Sequence, residues 1–208
     1  LHSLGGNRQD LLDFALQFQT QGFNVVLVDL REHGEIGGEF FTYGDRERAD
    51  MTAVIDDWAG QNLPIDRLAI LGVSAGGTVA IAAASHDARI DAVITIGTFA
   101  DLRATIEQQV WYIPGFWRDR LLAQAERIGS FQVDQASPRQ FLRSVKVPTL
   151  IIHGKRDTYI PFSNAEQLYE AAPASKQWYV LENANHDNML WQEGPQLRQR
   201  IIDFLNQL

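Results

Sequence analysis

The sequence contains no cysteine, which excludes disulfide staples, thiolate metal sites and a cysteine nucleophile. It leaves the compartment open. Basic residues are in deficit: 18 Lys and Arg stand against 26 Asp and Glu, for a formal charge of −8. Nucleic acid and anionic membranes attract basic surfaces, so neither is expected as the main partner. No apolar run approaches the about eighteen residues that a membrane span needs. Also absent are a phosphate-cradling Gly-Lys-Ser/Thr loop, the G-x-G-x-x-G dinucleotide fingerprint and any cluster of metal-ligand type. The reaction, if there is one, is expected to need no cofactor and no metal.

What is present is a regular alternation. With 208 residues, 45% of them apolar, the chain can form one domain with a sizeable core. Strands are predicted at residues 25–30 (VVLVDL), 68–73 (LAILGV), 92–97 (AVITIG), 149–153 (TLIIH) and 177–181 (QWYVL). These runs are continuously apolar, as suits parallel strands covered on both faces. Amphipathic helices lie between them. Asn7 is placed to cap one carrying Leu11, Leu12, Ala15 and Phe18; a second shows Met51, Val54, Ile55 and Trp58 at helical spacing. A third covers residues 78–85, a fourth has Ser163 and Glu166 at capping-box spacing, and the last starts at Pro195 with Leu197, Ile201, Leu205 and Leu208 on one stripe. Strand–helix alternation of this kind implies an α/β fold, a mostly parallel doubly wound sheet with helices on both faces. Residues 99–146 break the rhythm, with helical pattern only and the aromatics Trp111, Tyr112, Phe116 and Trp117. An insertion there reads as a helical lid at the sheet edge or over its carboxyl ends, where ligands bind.

One stretch carries the chemistry. Residues 69–78 (AILGVSAGGT) end a buried strand in G-x-S-x-G, with Gly72, Ser74 and Gly76 in place, and open a helix. A serine on so tight a turn is held in a strained conformation with its hydroxyl above the sheet. Residues two positions away must be small, and the helix N-terminus favours developing negative charge. The competing reading is an ordinary glycine-rich turn.

A serine nucleophile needs a base, and the base an orienting carboxylate. Of the five histidines, His186 lies in ENANHD, a polar loop between the last strand and the last helix, and is the preferred base. His153 ends its own aliphatic run and reads as packed or backbone-bonded; His86 reads as a solvated helix end. Asp157, in HGKRDTYIP after the preceding strand, is the preferred acid, with Asp101 as fallback. Asp187 adjoins the base, but neighbouring loop side chains diverge. The order Ser74, Asp157, His186 is the order of the α/β-hydrolase architecture.

Together with HSLGGN at the start, DLREHGEIGG after residues 25–30, GVSAGG, HGKRDTYIP and NANHD, the chain resembles the α/β-hydrolase superfamily, in particular single-domain serine hydrolases with a short lid. The resemblance implies an oxyanion hole formed by the backbone N–H groups of Ala75 and Leu4. The family usually has His-Gly at the start of that loop, where this chain has His2-Ser3. It also implies that His33, in REHG, is structural. A strand feeding the HSLGGN loop is expected between residues 25–30 and 68–73. Because the chain begins at Leu1, the N-terminal strands of the fold are expected to be missing from it. The implied function is a cofactor-independent serine hydrolase acting on a carboxylic ester or related acyl bond of a small, partly apolar substrate. The lid aromatics either contribute to an apolar site or dock the lid on the body. A peptidase is the alternative within the superfamily, with Asp101, Glu107 and Asp119 as candidate partners for a substrate amine; a non-catalytic binding module is the alternative outside it.

Overall fold

Four of the aliphatic runs form strands in the computed structural model, which describes residues 1–37, 40–61 and 65–208. They are β1 (Ala69–Val73), β2 (Ala92–Ile96), β3 (Thr149–Gly154) and β4 (Lys176–Leu181). The sheet runs in the order β1-β2-β3-β4, every pairing parallel, with Ala69 opposite Ala92, Val93 opposite Thr149 and Thr149 opposite Lys176. Parallel neighbours need crossovers, and helices supply them. α1 (Leu12–Gln19) and α2 (Glu47–Gly60) precede the sheet. α3 (Ala75–His86) joins β1 to β2; α4 (Leu102–Gln109), α5 (Gly115–Gly129) and α6 (Pro138–Leu142) lie between β2 and β3. α7 (Ser163–Ala171) joins β3 to β4, and α8 (Met189–Gln192) and α9 (Gly194–Leu205) follow.

Every residue of β2 and β3 is buried, because helices cover both faces. The strand period of two sorts the side chains. Ile94, Ile96, Leu150 and Ile152 meet Phe14 and Phe18 of α1 and Leu197, Ile201 and Phe204 of α9. Val93 and Ile151 point the other way, onto Ala80 and Ile81 of α3, Leu142 of α6 and Leu168 of α7. Each such side chain, fully buried, stabilises the fold by about 1.5–3 kcal/mol. On α9 the stripe turns slightly from the expected one: Phe204 is buried, while Leu205 and Leu208 are only partly covered. Asn7 caps as expected, its side chain accepting from the Gln9 amide at 2.8 Å ahead of a 3₁₀ turn, Arg8–Leu11.

Two expectations fail. Residues 25–30 are not a strand. Strand assignment needs a backbone ladder, and residues 25–30 form none; the neighbouring Leu1 bonds β1, its N–H₃⁺ donating to the Leu71 carbonyl at 2.6 Å and its carbonyl accepting from the Val73 amide at 3.0 Å. At the other edge of that neighbour, the Leu30 amide donates to the His2 ring at 3.0 Å, and Val25 and Val26 remain exposed. A cavity of about 470 Å³, lined by Leu12, Leu16, Val25, Leu27, Val54 and Trp58 among others, runs beside them. The Ser163–Glu166 capping box does not form either. Ser163 is already the first helical residue, Phe162 takes the cap position, and no side chain caps the turn.

Residues 99–146 hold α4, α5 and α6 and no strand. Phe99, Leu102, Leu122, Val133, Ala136 and Ile160 form a separate small core that ties this insertion to the body. The four aromatics singled out from the sequence do not do the docking, since Trp111, Tyr112, Phe116 and Trp117 are 58–78% exposed. Among the described residues no helix is long and apolar enough to cross a membrane.

At the end of α3, buried Asp87 accepts from the Arg89 backbone amide and guanidinium, and Arg89 reaches on to Asp56 of α2 at 2.6 Å. These side-chain bonds from Arg89 lower the Asp87 pKa from 3.8 to about 2. A depressed carboxylate stabilises the fold above its unfolded pKa and loses that contribution as pH falls through the folded one. Asp87→Asn is therefore expected to lower the melting temperature at pH 7, with the gap to wild type closing between pH 4 and pH 2; an unchanged melt at pH 7 would refute the assignment.

Candidate active site

At the end of β1 the backbone turns directly into α3, and Ser74 sits on the turn with φ 51° and ψ −117°. A non-glycine residue in that region is strained by about 1–3 kcal/mol and persists only when its surroundings hold it. Here the Ser74 amide donates to the Ile96 carbonyl of β2 at 2.8 Å, and the Ser74 carbonyl accepts from the Thr98 hydroxyl at 3.2 Å. The flanking glycines answer to space. A Cβ on Gly72 would overlap the Gly76 carbonyl, and one on Gly76 would overlap the His2 carbonyl.

The structure brings the three sequence-selected side chains together. His186 Nε2 lies 3.1 Å from Ser74 Oγ, and Nδ1 lies 2.7 Å from Asp157 Oδ2. The carboxylate only accepts, so the Nδ1 proton points at Asp157 and Nε2 is free to accept the serine proton. Ser74 and Asp157 are buried at 8% and 4% exposure; the His186 side chain retains 18%. The other oxygen of Asp157 accepts from the amides of Tyr159 at 2.9 Å and Ile160 at 2.7 Å, which fixes the plane of the carboxylate.

The competing acids are otherwise engaged. Asp101 caps α4 through the Ala104 amide and faces Ser137 and Arg139; Asp187 is exposed. Asp119 lies 4.0 Å from Arg103, and Asp101 3.9 Å from Arg139. His33 Nδ1 donates to the Arg31 carbonyl at 2.8 Å, away from Ser74. His153 is buried against the Ile160 carbonyl at 2.8 Å. Among the described residues no group of three or more His, Asp or Glu side chains could hold a metal ion.

Leu1 and the HSLGGN segment pack against the elbow, the Leu1 and His2 carbonyls lying in the space a Gly76 side chain would fill. His2 is the peg. Its Nδ1 donates to the Ser3 carbonyl at 2.8 Å and its Nε2 accepts from Leu30, while burial lowers its pKa and keeps it neutral. Ser3 to Gly6 then form a turn closed by the Gly6 amide on the Ser3 carbonyl, with Gly5 at φ 74°. Asp29 clamps the following residue, accepting from the Arg8 amide and guanidinium at 2.6 Å each. The last glycine of the DLREHGEIGG motif, Gly38, lies outside the described residues.

Three neighbours were not singled out as site residues from the sequence. The Tyr159 ring lies 5.0 Å from that of His186, and its place two residues after Asp157 was a usable signal. Met189 fills the space beside Gly97, whose φ of 64° lets the chain pass close to His186. Tyr43, at φ 54°, packs 6.0 Å from Phe99 and touches the insertion core. Its loop is held by Glu47, fully buried, which accepts from the Thr42 amide, the Thr42 hydroxyl and the Gly44 amide at 2.7–2.9 Å. Glu47 is the first residue of α2, and its inward reach into the preceding loop is a tertiary fact.

Residues 12–208 match the prolyl oligopeptidase family. The chain belongs to that family. Among curated proteins it is similar to the uncharacterized protein YqkD of Bacillus subtilis, 28% identical across all of this chain and 70% of that one. It is also similar to the uncharacterized peptidase YuxL of the same organism, 27% identical over 90% of this chain and 30% of the relative. Among solved structures, the Pyrococcus furiosus esterase Pf2001 superposes with a TM-score of 0.78 at 24% identity, covering all of this chain and 80% of that one. The family match and this likeness establish the α/β-hydrolase fold and the chain's place in that superfamily.

Each donor on Glu47 would be left buried without an acceptor on its removal, at about 1–3 kcal/mol apiece. Glu47→Ala is expected to destabilise the chain by at least ~3 kcal/mol in denaturant unfolding; a loss below ~1 kcal/mol would show that loop 42–44 holds itself.

Proposed function

We propose that this chain is a serine hydrolase that cleaves a carboxylic ester or related acyl bond through an acyl-enzyme intermediate. The observation that carries the reading is the unbroken hydrogen-bond chain Ser74–His186–Asp157, with its serine on a strained turn at the N-terminus of α3. Ser74 Oγ attacks the substrate carbonyl as its proton passes to His186 Nε2. Asp157 holds the imidazole in the required tautomer and stabilises the cation that forms. The tetrahedral oxyanion is bound by the amides of Ala75 and Leu4. Ala75 is in the first turn of α3, where amides have no intrahelical acceptor, and Leu4 is at the second position of the Ser3–Gly6 turn. Each such donor contributes about 2.7–4 kcal/mol to the barrier reduction. His186 then protonates the leaving group, and water, activated by the same base, releases the acid.

The substrate in this reading is a small acyl compound with an apolar portion. Support comes from the apolar groups beside the triad, the Tyr159 ring and Met189 near His186 and Ile160 in the loop of Asp157, rather than from the exposed aromatics of the insertion. The second reading is cleavage of a peptide amide by the same residues, and the family match favours it.

Covalent labelling by a fluorophosphonate, abolished by Ser74→Ala, is the expected result, with hydrolysis falling by about 10⁴-fold or more in that variant. A panel of p-nitrophenyl esters and peptidyl p-nitroanilides separates ester from amide cleavage. An unlabelled protein inert towards both sets would instead mark a non-catalytic binding module.

A further inference from the structure

The acid of the proposed triad has a second imidazole beside it. His153, the penultimate residue of β3, is 1% exposed, and its Nε2 lies 2.8 Å from the Ile160 carbonyl and 3.5 Å from Asp157 Oδ2. Both partners are acceptors only, so Nε2 must carry a proton. Nδ1 is buried with no hydrogen-bond partner among the described residues. Protonating it would create a buried, unsatisfied N–H, and burial accordingly lowers the His153 pKa. The ring is therefore neutral, with a fixed tautomer and one N–H aimed between two oxygens.

Those two oxygens belong to one loop. Asp157 Oδ1 takes the amides of Tyr159 and Ile160, so residues 157–160 wrap around the carboxylate. The Ile160 carbonyl, on the far side of that wrap, is held by His153. Asp157 Oδ2 then faces His186 Nδ1 at 2.7 Å and, more loosely, His153 Nε2. Phe162 closes the other side of the His153 ring, at 6.0 Å between centroids. A histidine serving only to fill space has no need of a donor at this point, and an apolar residue would spare the orphaned Nδ1.

We propose that His153 is a positioning residue for the hydrolase reaction: its neutral Nε2–H braces the 157–160 loop and shares in compensating the Asp157 carboxylate, so holding that carboxylate on His186. This rests on the proposed roles of Ser74, His186 and Asp157. Asp157 Oδ2 is faced by both imidazoles, and the Tyr159 ring lies against His186. Removing the His153 N–H takes away the brace on the Ile160 carbonyl and one donor facing Asp157, so the carboxylate is held less firmly on His186 Nδ1.

The test compares His153→Phe, which keeps a planar ring without a donor, with His153→Gln, which can present an amide N–H at similar reach. Phe is expected to cut kcat by about tenfold or more with KM within about twofold. Gln is expected to restore most of the lost kcat. The ring nitrogens of His153 and the Nδ1–H resonance of His186 are followed by NMR at pH 7 in parallel, in wild type and both variants, without substrate. In wild type His153 is expected to show the neutral Nε2–H tautomer. An Nδ1–H tautomer at His153, or a His186 Nδ1–H resonance unchanged in folded His153→Phe, would overturn the proposal whether or not the chain hydrolyses esters. Should His153→Phe fail to fold, the wild-type tautomer and His153→Gln decide it. A protein unreactive to fluorophosphonate but with the expected tautomer and resonance change would refute the hydrolase reading and leave the bracing of Asp157 standing.

Discussion

The contact between Gly72 and Gly76 sets the spacing on which the rest of the site depends. With no side chains there, β1 and the first turn of α3 approach closely enough for a single residue to bridge them, and that residue is forced to φ 51°. The same approach leaves room over Gly76 for the backbone of Leu1 and His2, so the turn that carries Leu4 is seated by the contact that raises Ser74. Candidate nucleophile and candidate oxyanion loop thus share one structural cause. The conformational strain is offset by ties to β2, through the Ser74 amide on Ile96 and the Thr98 hydroxyl on the Ser74 carbonyl.

A second close approach delivers the other half of the site. β3 and β4 are parallel, so their carboxyl ends lie side by side, and the loops that leave them are joined by backbone bonds. The Lys155 amide donates to Leu181 and the Arg156 amide to Ala184, while Gly154 leaves space for the Ala184 carbonyl. Asp157 and His186, 29 residues apart in the chain, are thereby held at 2.7 Å. The Asp157 carboxylate is satisfied before His186 is counted, by two amides of its own loop. It acts as a fixed anchor, and the imidazole orients on it.

Around this rigid centre the structure is less uniform. The insertion between β2 and β3 is tied to the body by its own small core, which includes Ile160 from the loop of Asp157. Tyr43, strained and held by buried Glu47, packs against that core from the opposite side of the sequence. Segments remote in the chain therefore converge on that core, which reaches the loop of Asp157 through Ile160. The family and the fold say little about substrate preference, because function resides in the residues of the site and not in the sheet that carries it.

Much of the scaffold was legible without coordinates. Continuous apolar runs at residues 92–97 and 149–153 announced strands covered on both faces, and β2 and β3 are buried throughout. G-x-S-x-G between strand and helix pointed to Ser74, and loops after the later strands pointed to Asp157 and His186, because those signals are local in sequence. Residues 25–30 misled for the converse reason: apolar composition marks a strand, but a ladder also requires a paired neighbour, which composition does not show. The Ser163–Glu166 spacing likewise could not show that the helix had already begun at Ser163. By itself the sequence determined the class of fold and marked Ser74, His186 and Asp157 as preferred candidates, with Asp101 still open. Only the tertiary structure decided that Asp157 rather than Asp101 faces His186, that His153 stands behind Asp157, and that Trp111 and Trp117 dock nothing. Each of those facts depends on which chemically equivalent side chains the packing of distant segments brings within hydrogen-bonding range, and no local pattern encodes that distance.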